Sequence, residues 1–225
     1  MLPILITYDD EDADRGEYFN ASQKDLISKI LPDISLSVQS VNTSNCLKNS
    51  IDFYAKQHAK ESFIFIAYVH GSEDALFIGK SEIINSHNAT LFNQSLFYAC
   101  SCYSAKELGQ VLVNNGCRVF IGYNNTITTV NPETEPFFYE CENIFIAQFL
   151  ATENTIQKCL ELMYDKYQEM TIYLTKYESI FDAGVLEKNS YAFEIICDKA
   201  GYSLTKNDFK NPSPSTNKAL DLAPL

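Results

Sequence analysis

Strand-length apolar runs and amphipathic stretches alternate along this chain. Residues 4–8, 36–41, 63–69, 95–99, 118–123 and 191–197 form the strand-like set. Residues 63–69 are apolar at every position, which predicts a central strand covered on both faces. Helical spacing predicts helices over 22–31, with Ser22 as N-cap, and over 46–59, with Leu47, Ile51 and Tyr54 on one face. Further helices are predicted over 104–115, closed by Asn115-Gly116, over 136–150, and over 155–174, where Ile156, Leu160, Met163 and Tyr167 share a face. Two short β-like pieces around Gly79-Lys80 predict a hairpin within 75–84. Residues 9–15 are an acidic loop and 124–135 a polar one. This alternation predicts an α/β protein: a three-layer α/β/α sandwich around a mostly parallel, about six-stranded central sheet. One domain over 1–210 and a mobile tail of Pro, Ser and Asn over 211–225 complete the expectation.

Composition narrows the class. A chain of 225 residues with 46% hydrophobic content builds a sizeable core. No apolar stretch reaches membrane-spanning length, and the first residues lack the basic start and cleavage site of a signal peptide. The seven cysteines, at 46, 100, 102, 117, 141, 159 and 197, are odd in number and several lie inside apolar runs, which predicts free thiols and a cytoplasmic location. There is no CxxC pair, and Cys100 and Cys102 with His70 or His87 lack the ligand spacing of structural zinc. A net charge of −12 argues against nucleic acid as a partner. It suits a basic substrate, but serves solubility equally well.

Two strand ends carry the candidate chemistry. Ala67-Tyr68-Val69 runs into His70-Gly71, and Leu96-Phe97-Tyr98-Ala99 runs into Cys100. In an open α/β sheet the carboxyl ends of neighbouring strands share one crevice, so the two are expected to form a thiol–imidazole dyad. Cys102 is the rival nucleophile, two residues past the strand end. The helix predicted from Ser104 would set its dipole near Cys100 and favour thiolate. His58 and His87 are expected to face solvent.

The pairing of an apolar strand ending in His-Gly with a later one ending in Ala-Cys resembles the caspase-like cysteine peptidases, which include caspases, gingipains, separases and CHAT-domain proteases. His70 precedes Cys100 by thirty positions, on adjacent strand candidates. The likeness continues through the helix, Asn115-Gly116-Cys117 and strand that follow, and through residues 143–167, so it covers most of 1–200. It implies a caspase-like fold and a cysteine endopeptidase acting on a protein or peptide, closest to short bacterial CHAT or gingipain-like forms. Cys100 would attack the scissile carbonyl and His70 would protonate the leaving amine. The amides of Gly71 and Cys100 would hold the oxyanion. No cofactor is needed. A defence or cell-death pathway and a regulatory partner protein are what such relatives suggest by analogy.

Specificity is expected to come from the loops beside the dyad. Asp9, Asp10, Glu73 and Asp74 would draw a basic side chain, whereas Arg15 would hold an acidic one; a neutral pocket is the remaining option. Two other readings stay open. One is an inactive caspase-like scaffold. The other is a TIR-like signalling domain, because Ile4-Leu5-Ile6-Thr7-Tyr8-Asp9 resembles the opening of that family; it leaves His70-Gly71 and Cys100 unexplained.

Overall fold

The computed structural model describes residues 1–31, 33–45, 48–58 and 61–210. Among these residues a six-stranded sheet runs through the centre. Its strands are β1 (Leu2–Tyr8), β2 (Leu36–Asn42), β3 (Ile64–Tyr68), β7 (Leu96–Cys100), β8 (Val119–Tyr123) and β9 (Phe193–Ile196), in the spatial order β2-β1-β3-β7-β8-β9. All neighbours are parallel except β8 and β9. The short strands β4 (His70–Gly71), β5 (Leu76–Ile78) and β6 (Ser81–Ile84) make a separate antiparallel sheet that begins where β3 stops.

Side-chain alternation splits the core in two. Ile64, Ile66 and Tyr68 of β3, with Leu96, Tyr98 and Cys100 of β7, face one apolar layer. Phe65, Ala67, Val69, Phe97 and Ala99 face the other. The first layer is closed by α1 (Gly16–Ile30), α4 (Glu135–Ala151), α5 (Ile156–Tyr177) and α6 (Ile180–Ala192). The second is closed by α2 (Lys48–His58), α3 (Leu108–Asn114) and the small sheet. A short α7 (Lys206–Lys210) packs Phe209 edge-on against Phe149. The apolar continuity of β3 and β7 is therefore the signature of two-sided burial, as expected for interior parallel strands. No helix among the described residues is long and apolar enough to cross a membrane.

Several boundaries differ from the sequence expectation. Helix α1 starts at Gly16, and Ser22 lies mid-helix, donating back to the Tyr18 carbonyl at 2.9 Å instead of capping. Helix α3 starts at Leu108, after a run of turns, later than the predicted start at Ser104 and further from Cys100. Helix α6 is unanticipated. Its apolar Ile180 and Phe181 are exposed while Asp182 and Asn189 are buried, which cancels the usual periodicity. The His58 ring is half-buried, 4.6 Å from the Tyr54 ring, whereas His87 is exposed. Cys46, Leu47 and the predicted tail lie outside the described residues.

Candidate active site

Strand order reverses between β1 and β3, because β2 lies on one side of β1 and all later sheet strands on the other. At such a switch point the loops after neighbouring strands diverge and leave a crevice at the carboxyl edge. A cleft lies here. It encloses about 420 Å³ of space, its open mouth included, and is lined by residues from the ends of β3 and β7, the start of α1, the 124–134 loop and α4. His70, Cys100 and Cys102 all line it.

The β3–β7 register decides how they pair. Ile66 lies opposite Tyr98, and Tyr68 opposite Cys100. The ladder ends at that pair; His70 and Cys102 each lie two residues past it, and both line the cleft. Ser101 Oγ donates to the Val69 carbonyl at 2.7 Å. Gly71 lies so close to Cys102 that a Cβ on it would stand 2.5 Å from the Cys102 carbonyl oxygen. This approach, not an unusual φ, explains the glycine.

The two cysteines have different surroundings. Cys100 is the last residue of β7 and points into the apolar layer, 1% exposed. Its Sγ donates to Glu142 Oε2 at 3.1 Å. Burial, then the Glu142 carboxylate, push its thiol well above the usual range. Cys102 lies two residues past the end of β7 and is half-buried. Its Sγ donates to the Ile127 carbonyl at 3.5 Å, and burial raises its pKa as well. The next residue, Tyr103, is held at φ +58°. Such a conformation costs an L-residue about 1–2 kcal/mol and tends to cluster at functional sites. Tyr103 N donates to the Asn125 carbonyl at 3.2 Å, and its hydroxyl accepts from Thr126 Oγ1 at 2.6 Å. Together they fix the turn that presents Cys102.

His70 Nε2 lies 3.0 Å from Asp12 Oδ2, and the ring meets Phe19 edge-on at 5.5 Å. Asp12 does two things. Its Oδ1 accepts from the amides of Asp14 at 3.0 Å and Arg15 at 2.7 Å, closing the turn into α1, while Oδ2 holds the imidazole. Burial opposes ionisation of Asp12, but those amides and His70 hold its carboxyl below the usual range.

The proposed specificity residues are not brought together. Asp9 is buried, accepting from Thr43 Oγ1 at 2.7 Å and from the Gly79 amide at 2.9 Å. Asp10 accepts from Thr43 N at 3.1 Å and Asn42 Nδ2 at 3.2 Å. Glu73 pairs with Lys106 at 2.5 Å, and Asp74 accepts from Ser72 Oγ at 2.7 Å. None of these four lines the cleft; Arg15 does. Its guanidinium donates to Thr129 Oγ1 and, at 2.9 Å, to Thr128 Oγ1, and lies 3.7 Å from Glu135.

Sequence reasoning passed over Asp12 as a partner for His70, and Glu142 altogether. Glu142 is 1% exposed on α4, and desolvation raises its pKa to about 7. Its signal was visible: a Glu-Asn pair interrupts the apolar face Phe138, Cys141, Phe145, Phe149. Both polar groups are bonded to sheet and helix. Tyr98 donates its hydroxyl to the Glu142 carbonyl, Tyr68 donates to Asn143 Oδ1 at 2.6 Å, and Asn143 Nδ2 donates to Asp25 Oδ2 at 2.8 Å.

Comparison with protein-family models finds no family that matches this chain, and comparison with curated proteins likewise finds no match.

Proposed function

We propose that this chain is a caspase-like cysteine endopeptidase in which Cys102 is the nucleophile and His70 its acid–base partner. One observation carries the reading: His70 and Cys102 line one cleft at the carboxyl edge, where Gly71, the neighbour of His70, lies against the Cys102 backbone. The raised pKa of Cys102 means that its thiol is protonated at rest. His70 therefore takes the Sγ proton as sulfur attacks the scissile carbonyl, and returns it to the leaving amine. The acyl-enzyme thioester is then hydrolysed by water, activated by the same imidazole. Asp12 holds the ring in place through Nε2, as a carboxylate beside a histidine does in other hydrolases. The amides of Gly71 and Cys102 are the nearest candidates for the oxyanion. Cys100 supports the floor of the cleft, a role for which its burial and its bond to Glu142 suit it better than attack.

Paired substitutions test this. Cys102→Ala is expected to lower peptide cleavage by roughly three orders of magnitude or more. Cys100→Ala is expected to lose stability by about 1–2 kcal/mol, as a buried thiol is removed, while keeping most activity. Loss of cleavage in Cys100→Ala with full activity in Cys102→Ala would return the nucleophile to Cys100. Full activity in both would remove the dyad altogether.

A further inference from the structure

The floor of the cleft holds an acid with one oxygen to spare. Glu142 Oε2 accepts from the Tyr18 hydroxyl at 2.6 Å and from Cys100 Sγ at 3.1 Å. Oε1 has no hydrogen-bond partner among the described residues. Tyr18 and Cys100 each have a single hydrogen and give it to Oε2, so neither has a donor left for an incoming side chain, and Oε1 is the acceptor that remains. Tyr18, Phe19 and Val69 line the apolar walls. Among the described residues the one Lys or Arg in the lining, Arg15, is already held by Thr128, Thr129 and Glu135.

Resting on the peptidase reading above, we propose that Glu142 is the specificity-determining residue and that the cleft takes lysine on the amino side of the scissile bond. An apolar pocket ending in one acceptor fits a long methylene chain tipped by a donor. A carboxylate tip would bring a second negative charge against the buried Glu142 carboxyl, and Tyr18 and Cys100 have no hydrogen left to offer it. An aliphatic tip would leave Oε1 without a donor, and burial already raises the carboxyl to about 7. Arginine is less suited than lysine. A guanidinium bonds best to two carboxylate oxygens at once, and one of these is taken; an ammonium needs only a single acceptor.

The test uses peptidyl acyloxymethyl ketones that differ only in the residue next to the warhead: Lys, Arg, Leu or Asp. Alkylation is mapped by mass spectrometry. The lysine probe is expected to label Cys102 fastest, roughly ten- to hundred-fold ahead of leucine and aspartate, the range of one charge-assisted hydrogen bond. Glu142→Gln, checked for folding by thermal melting, is expected to cut the Lys-to-Leu rate ratio at least roughly tenfold. Labelling of Cys102 by leucine or aspartate as fast as by lysine overturns the specificity and leaves the peptidase reading intact. So does an unchanged ratio in the variant. Arginine ahead of lysine overturns the single-acceptor argument. If no probe reaches Cys102, the peptidase reading falls, and the proposal with it.

Discussion

Replacing Glu142 by glutamine should stabilise the protein at neutral and alkaline pH, by an amount that the structure fixes. Glutamine keeps the carbonyl oxygen that accepts from Tyr18 and Cys100, and has nearly the same shape. What it removes is a charge that burial disfavours. The folded-state carboxyl titrates at about 7, against an ordinary value of 4.5. Between these values the folded protein binds a proton that the unfolded chain has released, so stability falls as pH rises through this window. At about 1.4 kcal/mol per pK unit the loss is about 3 kcal/mol, complete above the folded value and absent below the unfolded one. Other groups titrating in this range do so in both proteins and cancel in the difference. The Tyr18 and Cys100 groups facing Glu142 are pushed up by burial and stay protonated throughout. Urea unfolding of both proteins from pH 4.5 to 8 measures the effect. The variant should gain about 3 kcal/mol on wild type across the window, whatever constant offset the amide introduces, or roughly 6–12 °C in melting temperature for a domain of this size. A stability difference that stays flat over this range would show that the buried carboxyl does not pay a desolvation penalty, and would remove the argument for its raised pKa.

Two other outcomes follow from the same geometry. Gly71→Ala puts a methyl group 2.5 Å from the Cys102 carbonyl oxygen, backbone against backbone; it should destabilise by about 1–3 kcal/mol and abolish cleavage, and a stable, active variant would mean that β4 and the Cys102 turn are not in contact. Because burial raises the Cys102 thiol, its alkylation by iodoacetamide should be slow at pH 7 and keep rising with no plateau below about pH 9, the inverse of an activated thiolate; a plateau near pH 6 would point to a standing thiolate–imidazolium pair.

The sheet was legible in the sequence because interior parallel strands are apolar at successive positions, and residues 63–69 and 95–99 are of that kind. So was the arrival of a histidine and a cysteine at one edge, because every parallel strand of such a sheet ends on the same side. The pairing of particular residues was not. The sequence spacing of His70 and Cys100 invited a match at the visible strand ends, but a parallel ladder can slide, and its register is set by packing on both faces. Only the pairing of Tyr68 with Cys100 shows that Cys100 ends the ladder opposite Tyr68, two residues short of His70. Glu142 illustrates the second limit. A polar residue in an apolar helical face announces burial, yet its partners Tyr18 and Cys100 come from an earlier helix and from the sheet, 124 and 42 residues away. The acidic loop marks the third. Composition placed many carboxylates near the crevice, while the fold spent Asp9 and Asp10 on Thr43, its neighbours and a distant amide, because a buried charge is retained only where donors already meet it. Local pattern thus determined most of the elements, α6 excepted, and the edge at which the histidine and the cysteines arrive. Tertiary packing, which sets register and decides which polar groups find partners, determined which residues meet there.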